Sequence, residues 1–319
     1  MSVVSQEVLK NGKGGEPLNG VVLIKSYGIQ LTKNGKEYIS GTLQSGVEIP
    51  FKIWNNSSAF TKLKNEDYTN MPTLIGGNFD DYNGMISIII NTADAVEGFT
   101  IDQFLPVKYN AEVYYNSLVD VIKNSVSEKA FNIANNVLFS NQDLVERFKI
   151  EFAAKSHHDN CKSGLLAHTY KVVSIVKYLL NMYPSIITNL DGTKNQDLID
   201  LCIIGALLHD IGKTKEMELG VYQPCASVTH RYMGIEFITP YKDDIIQAYS
   251  EDWYYQLVSV FLQHHDEYDD KARTLVALLV FYADNLDSKV TLIQQQLENP
   301  LVTGNISKIK YEDRYLQLL

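Results

Sequence analysis

The stretch LIDLCIIGALLHDIGK, residues 198–213, is apolar almost to its last turn and then ends in a histidine, an aspartate, a glycine and a lysine. Such a run is typical of a helix buried in the core of a helical domain. Packing alone could account for the His209-Asp210 pair, because a buried imidazole is usually a hydrogen-bonded core group. The positions of the other histidines indicate whether this pair has a packing role or belongs to a functional site.

All seven histidines lie after residue 156. His168 lies on the apolar face of one predicted helix, His209-Asp210 end the next, His230 opens another, His264-His265 end a fourth, and Asp284 lies inside a fifth. Taken singly, each histidine is best explained as a core residue, but all of these explanations would have to hold together. Imidazoles and carboxylates from several helices instead predict a divalent metal centre, in which an aspartate can bridge two ions. Ligation by His and Asp without Cys favours Mn, Fe, Co, Ni or Zn.

Two regions differ in the period of their apolar residues. From Val21 to about Val96 the period is near two, as in EYISGTLQSGVEIPFKIW (residues 37–54), and Asn-Gly pairs at 34–35 and 83–84 predict hairpin turns. After Val107 apolar residues recur at i, i+3, i+4 and i+7, which indicates helices. We therefore predict an α+β multidomain protein, with a small N-terminal β-barrel followed by an all-α helical bundle.

Composition narrows the functional classes. The 319 residues are 45% hydrophobic and 21% charged, with a net charge of −10, which argues against strong binding of polyanions by the whole chain. Residues 1–64 are locally basic, since they contain eight lysines and four glutamates. No apolar run is long enough for a membrane span. The three cysteines are widely spaced, so we expect no disulfide framework and a cytoplasmic location.

In this order the residues resemble the HD-domain metal-dependent phosphohydrolases in their five-histidine, two-metal form. The chain more specifically resembles the YhaM-type 3′→5′ exoribonuclease family. The matching stretches are YISGTLQSGVEIPFKIW, AAKSHHDNCKSGLLAHT, LLHDIGKTKE, LQHHDEYDD and FYADNLDSK. The resemblance implies an N-terminal extension (1–17), an OB-fold (18–107), connecting helices (108–155), an HD domain (156–300) and a C-terminal tail (301–319).

The resemblance also implies a ligand set. One ion would be bound by His168, His209, Asp210 and Asp284, and a second by Asp210, His230, His264 and His265, with manganese expected first. Asp210 and Lys213 would be catalytic, and Lys213, His157, His158 and Arg231 would bind substrate. The sequence departs from the family pattern at Ser163 and Thr229, where glycine is common, and at the acidic residues that follow His265. None of these departures removes a ligand.

An OB-fold in front of such a domain suggests a module that guides single strands. The candidate nucleic-acid contacts are Tyr38, Trp54 and Tyr82 for stacking on bases, and Lys25, Lys33, Lys36 and Lys52 for phosphates. Each of these aromatic residues could instead serve packing, and the barrel could instead mediate homo-oligomer assembly.

Three functions are consistent with these features. The first is a hydrolase: a metal-dependent 3′→5′ exonuclease that cleaves single-stranded RNA, or also single-stranded DNA, through a metal-activated hydroxide. The second is an HD-type phosphodiesterase acting on a cyclic dinucleotide or another small phosphoester. The third is a non-catalytic nucleic-acid-binding protein with a structural metal, against which the complete ligand set argues.

Overall fold

A computed structural model gives the fold and describes residues 1–82, 84–155, 159–265, 271–298, 306–308 and 315–317. The chain divides into two compact units, residues 1–107 and residues 108–319. The first is a β-barrel and the second is built from helices, so the predicted fold class is confirmed. The finer predicted boundaries at 17, 155 and 300 stay predictions.

Five strands close the barrel in the order β1-β2-β3-β5-β4. They are β1 (Pro17–Leu31), β2 (Glu37–Gln44), β3 (Glu48–Trp54), β4 (Met71–Tyr82) and β5 (Met85–Ala95). The alternation seen in the sequence places Ile39, Phe51 and Ile53 inside the barrel, where each is at most 1% exposed. Neighbours pair antiparallel except β3 and β5, which pair in parallel through Phe51 and Ile88.

Two short helices accompany the strands, α1 (Gln6–Asn11) and α2 (Ser58–Asn65). Helix α2, which lies between β3 and β4, was not predicted from the sequence. The side chain of Ser57 caps it by accepting the amide N–H of Phe60, and Phe60 and Leu63 pack into the barrel core.

Both predicted hairpins form. At the first, Leu31 lies opposite Glu37, and Gly35 has a positive φ of 73°. Asn34 does not share this conformation, because the loop is longer than the two-residue Asn-Gly turn that the sequence suggested. At the second, Tyr82 pairs with Met85 and Gly84 has a φ of 80°, while Asn83 lies outside the described residues.

The second unit is built mainly from helices. They are α3 (Ala111–Lys123), α4 (Glu128–Ala134), α5 (Gln142–Ile150), α6 (Gly164–Met182), α7 (Gln196–Leu208), α8 (Lys213–Glu216), α9 (His230–Ile238), α10 (Lys242–Ala248), α11 (Glu251–Gln263) and α12 (Leu275–Leu297). Two antiparallel pairs of short strands complete the unit, β6 (Met217–Glu218) with β7 (Val221–Tyr222), and β8 (Ile306–Lys308) with β9 (Tyr315–Gln317). The remainder of the predicted tail, 301–319, lies outside the described residues.

Helix α7 forms the centre of this unit. It packs against α6, α11 and α12, and every residue from Ile199 to Leu208 is buried. This burial on all sides explains why, apart from Asp200, the stretch from Ile199 to Leu208 is apolar on every face rather than along one stripe. Among the described helices, none combines the length and hydropathy needed to cross a membrane.

Candidate metal centre

The predicted ligands come from five helices that meet at the C-terminal end of α7. His168 lies on α6, and His209 and Asp210 directly follow α7. His230 opens α9 and His264-His265 follow α11, while Asp284 lies within α12. The structure thus brings together seven residues that are spread over more than a hundred positions of the chain.

Asp210 lies between four imidazoles, two on each carboxylate oxygen. Its Oδ2 lies 3.6 Å from His168 Nε2 and 3.4 Å from His209 Nε2. Its Oδ1 lies 3.5 Å from His230 Nε2 and 3.5 Å from His264 Nε2. A carboxylate placed in this way offers one oxygen to each of two neighbouring ions.

The remaining two predicted ligands extend these two groups. Asp284 Oδ1 lies 3.1 Å from His168 Nε2, and His265 Nε2 lies 3.2 Å from His230 Nε2. The donor atoms of Asp210, His230, His264 and His265 all lie within 4.8 Å of one another, as do those of His168, His209 and Asp210. These two groups coincide with the two predicted ligand sets, apart from Asp284.

Hydrogen bonds on the far side of the rings orient four of the five histidines. The Nδ1 atom of His209 lies 2.8 Å from the carbonyl oxygen of Ala206, and that of His264 lies 3.0 Å from the carbonyl oxygen of Val260. A carbonyl can only accept, so both rings carry their proton on Nδ1 and turn the Nε2 lone pair toward the centre.

For the other two rings, those of His168 and His230, the hydrogen-bond partner of Nδ1 is a carboxylate. The pairs are His168 Nδ1 with Asp287 Oδ2 at 2.7 Å and His230 Nδ1 with Glu216 Oε2 at 3.0 Å. Such partners of ligand imidazoles fix ring orientation and raise ligand basicity in metal sites.

The pKa shifts of the histidines differ between the two groups of predicted ligands. Burial lowers the pKa of His168, but hydrogen bonds to Asp284 and Asp287 outweigh it and raise that pKa to about 10. Burial and the neighbouring His264 lower the pKa of His265 to about 2, and burial also lowers the pKa of His230. Burial opposes ionisation of Asp210, yet Lys213 and the nearby imidazoles hold its pKa well below the usual value. Asp210 is therefore an anion at neutral pH.

Two buried atoms in the centre show that the residues suit a cation. Among the described residues, Asp210 Oδ1 and His264 Nε2 are buried side-chain atoms without a hydrogen-bond partner. Such atoms are rare in folded proteins because leaving them unpaired is costly. Both lie on the same side of Asp210, 3.5 Å apart, where a cation would satisfy both.

The predicted substrate-binding residues lie in different surroundings. Lys213 is buried, and its Nζ lies 2.6 Å from Asp210 Oδ2. Arg231 follows His230 on α9 and donates from Nη1 to the carbonyl oxygen of Leu262 at 3.4 Å. His157 and His158 lie outside the described residues, as do the acidic residues that follow His265.

The residues that support the predicted ligands were not predicted from the sequence. Asp287, Lys171 and Glu216 each lie three residues after a predicted site residue, so i, i+3 spacing was the available signal. Lys171 Nζ lies 3.0 Å from Asp287 Oδ1 and 2.7 Å from Asp159 Oδ2, and Asp159 is fully buried. Through these contacts, the segment before α6 is connected to Asp287, the hydrogen-bond partner of His168.

The structure gives the backbone conformation at two positions where the sequence departs from the family pattern. Ser163, which precedes α6 where glycine is common, has a φ of 65°, a conformation that favours glycine. Thr229 directly precedes α9 with a negative φ of −57°, so glycine is not required there. Gly212 is different: a Cβ at this position would lie 1.9 Å from the carbonyl oxygen of His230. The glycine of HDIGK therefore lets α9 approach the end of α7.

The structure gathers several of the predicted barrel residues on one surface. Tyr38 and Trp54 pair across β2 and β3 with ring centroids 5.4 Å apart, and Trp54 is 40% exposed. Lys52 lies on the same outer face, because Phe51 and Ile53 point inward. The other four predicted contacts lie elsewhere on the barrel. Lys33 and Lys36 flank the β1–β2 turn, and Tyr82 is exposed at the end of β4. Lys25 forms a surface ion pair with Glu48.

Comparisons with known proteins agree with this description. Residues 165–289 match the family model described as "HD domain". The chain is 28% identical to "3'-5' exoribonuclease YhaM" of Bacillus licheniformis over 306 residues and to that of Bacillus subtilis over 307 residues. Each match covers 89% of this chain and 88% of the relative. The protein of that name from Shouchella clausii is 25% identical, over 91% of this chain and 89% of its own length.

The predicted resemblance to the YhaM-type family is thereby confirmed, and the helical unit contains an HD domain. An HD domain implies a divalent metal, which agrees with the clustered His and Asp side chains.

Proposed function

We propose that the chain is a metal-dependent 3′→5′ exonuclease that hydrolyses single-stranded RNA. Its predicted class, a hydrolase, is confirmed by the HD domain and by relatives named 3'-5' exoribonucleases. The finer statement concerns substrate, direction and the number of ions. The relatives' names support RNA as the substrate and the 3′→5′ direction, and the two groups of clustered side chains support two ions. Activity on single-stranded DNA remains part of the proposal.

The observation that carries the proposal is the position of Asp210 between two pairs of imidazoles. We assign His168, His209, Asp210 and Asp284 to one ion, and Asp210, His230, His264 and His265 to the other. Manganese is the first candidate, and iron, cobalt, nickel and zinc suit the same donors. When bound, such ions lower the pKa of water and offset the charge of a phosphodiester during cleavage.

The remaining residues have roles that follow from their positions. Asp210 stays ionised, which preserves two anionic oxygens for the centre. Burial lowers the pKa of Lys213, but Asp210 and Asp284 outweigh burial and raise it above its usual value, so the ammonium is a fixed positive charge beside the bridge. We assign to it the neutralisation of the phosphate under attack. Arg231, His157 and His158 are proposed to bind the strand near the site.

The barrel supplies the preference for a strand over a small phosphoester. OB-folds bind oligonucleotides on the face of strands 2 and 3 and on the loops between strands 1 and 2 and between strands 4 and 5. Tyr38, Lys52 and Trp54 lie on that face, Lys33 and Lys36 lie at the first loop, and Tyr82 borders the second. Lys25 is less suited to bind a phosphate, since Glu48 already offsets its charge.

The proposal can be tested with single-stranded RNA and DNA oligonucleotides labelled at the 5′ end and incubated with the protein and Mn²⁺. We expect a ladder that shortens stepwise from the 3′ end, and its relative rates on the two polymers give the preferred sugar. Asp210→Ala should abolish the ladder, whereas Asp243→Ala, on the exposed start of α10, should leave it unchanged.

Two results would contradict the proposal. Intact oligonucleotides together with rapid cleavage of a cyclic dinucleotide would favour a small-molecule phosphodiesterase. An Asp210→Ala variant that retains activity within about tenfold of the parent would remove the bridge from the reaction.

A further inference from the structure

The metal centre is open to solvent on one side. The side chains of His168, His209 and His264 are fully buried. Those of His230 and His265 are 12% and 30% exposed. A strand that reaches the ions therefore approaches past His230 and His265 rather than past α6 or α7.

The β6–β7 hairpin is attached to this open side. Glu216, the residue before β6, accepts hydrogen bonds from both the backbone N–H and the Nδ1 of His230, each at 3.0 Å. The N–H of Gln223, just after β7, donates to the carbonyl oxygen of Glu216 at 2.9 Å. Both ends of the hairpin are thus fixed to the residue that orients a predicted ligand.

A buried carboxylate holds the tip of the hairpin. Glu151 is 3% exposed and accepts the N–H groups of Leu219 and Gly220, at 3.0 and 2.8 Å. Both turn residues have positive φ, 51° for Leu219 and 77° for Gly220, and this conformation is strained for a non-glycine residue. Strained residues of this kind tend to lie where a defined position matters for function.

The hairpin presents an aromatic ring to solvent, beside an exposed cation of the segment that follows α5. Tyr222 is 52% exposed, and its ring lies 5.8 Å from the Nζ of Lys155. Lys155 is exposed and belongs to the segment after α5 that Glu151 anchors. An exposed aromatic ring beside an ammonium, held at the edge of a phosphodiesterase site, matches the face of a base and the charge of its phosphate.

We propose that Tyr222 and Lys155 form a nucleotide subsite for the strand that enters the metal centre, an inference that rests on the proposed function. Tyr222 stacks on the base of one nucleotide upstream of the scissile bond, and Lys155 contacts a neighbouring phosphate. Stacking does not read sequence, because every base has an aromatic face. The subsite therefore favours strands over small phosphoesters without selecting particular bases.

The test compares two substrates for each variant, an RNA oligonucleotide and bis(p-nitrophenyl) phosphate, which carries no base. Tyr222→Ala should raise KM for the oligonucleotide roughly tenfold with little change in kcat, whereas Tyr222→Phe, which keeps the ring, should resemble the parent. Neither variant should change the hydrolysis of bis(p-nitrophenyl) phosphate. Lys155→Ala should raise KM less and should flatten its dependence on salt concentration. Tyr178→Ala, at an exposed tyrosine of α6 ten residues past His168, is the matched control.

A scan with single abasic nucleotides locates the subsite along the strand. In the parent, an abasic nucleotide at one fixed distance from the 3′ end should raise KM by about the same factor as Tyr222→Ala. In the Tyr222→Ala protein that penalty should disappear, because the stacking partner is already lost.

The results of these assays distinguish failure of the subsite proposal from failure of the proposed function. If the parent degrades RNA and Tyr222→Ala degrades it equally well, the subsite is overturned and the exonuclease proposal stands. Equal loss of activity on both substrates would show that Tyr222 is structural, which also overturns the subsite. If the parent hydrolyses bis(p-nitrophenyl) phosphate but no oligonucleotide, the proposed function fails and the subsite fails with it.

Discussion

Asp210 is the residue at which two similar halves of the centre meet. Each half holds one histidine oriented by a helix carbonyl, His209 or His264, and one oriented by a carboxylate, His168 or His230. The clustered His and Asp residues could be singled out from the sequence because His and Asp are rare in apolar helices. Their supporting partners could not, because an acidic residue at i+3 looks the same whether it faces solvent or a ligand.

The supporting carboxylates should matter to metal affinity almost as much as the ligands do. Asp287→Asn removes the charge behind His168, and we expect the affinity for one Mn²⁺ to fall by about 10- to 100-fold. Glu216→Gln should weaken the other ion by a similar factor. Titration calorimetry of each variant with Mn²⁺ measures both effects. Unchanged affinity for both ions in both variants would show that these contacts serve packing alone.

Thiol chemistry at the three cysteines provides an independent check on burial. Burial raises the pKa of Cys161 and Cys202 to about 12, so at pH 8 only about 0.01% of either thiol is the reactive thiolate. Cys225 is exposed. A chromogenic disulfide reagent should therefore label one thiol rapidly in the folded protein and three after unfolding, and raising the pH should speed the slow reactions. Rapid labelling of Cys225→Ser would contradict this assignment.

At the scale of elements, the sequence identified the long helices and the barrel strands because both have a clear apolar period. It did not reveal α2 or the β6–β7 hairpin. Helix α2 is only eight residues long, and the hairpin depends on hydrogen bonds from Leu219 and Gly220 to Glu151, nearly seventy residues away. Contacts at this range leave no periodic signal in the chain.

The approach of α9 to the end of α7 depends on Gly212. In Gly212→Ala the new Cβ would meet backbone atoms of His230 and Gly234 at 1.9 and 2.7 Å, so α9 must shift and His230 with it. We expect weaker Mn²⁺ binding in the half that contains His230, with the β-barrel unaffected. Gly205→Ala is the matched control, since its Cβ would meet only side-chain atoms of Val260 and Val276, at 3.2 Å or more. Equal metal affinity in both variants would contradict the steric argument.

At the scale of the whole molecule, a chain with a net charge of −10 is expected to bind an anionic polymer only through local features. The barrel has the aromatic pair Tyr38–Trp54 and Lys52, and the HD domain has the clustered His and Asp side chains proposed to bind metal. The division into a barrel and a bundle could be predicted because the apolar period changes between them. Strand order could not, because the parallel pairing of β3 with β5 depends on closure of the barrel.

The barrel's contribution should appear only with long substrates. Trp54→Ala should raise the Kd for single-stranded RNA of about ten nucleotides roughly tenfold, the range found for loss of one stacked base. Hydrolysis of bis(p-nitrophenyl) phosphate should be unchanged. Fluorescence anisotropy with labelled RNA measures the first effect and a colorimetric assay the second. Unaltered RNA binding by Trp54→Ala would instead favour a role of this face in assembly.

The central claim is that Asp210 bridges two metal ions. Anomalous diffraction from crystals grown with Mn²⁺, recorded on both sides of the manganese absorption edge, tests it most directly. We predict two peaks on opposite sides of Asp210, each about 2 Å from one of its oxygens. One should contact His168, His209 and Asp284, and the other His230, His264 and His265. A single peak that does not contact Asp210, or no peak between these side chains, would contradict the account.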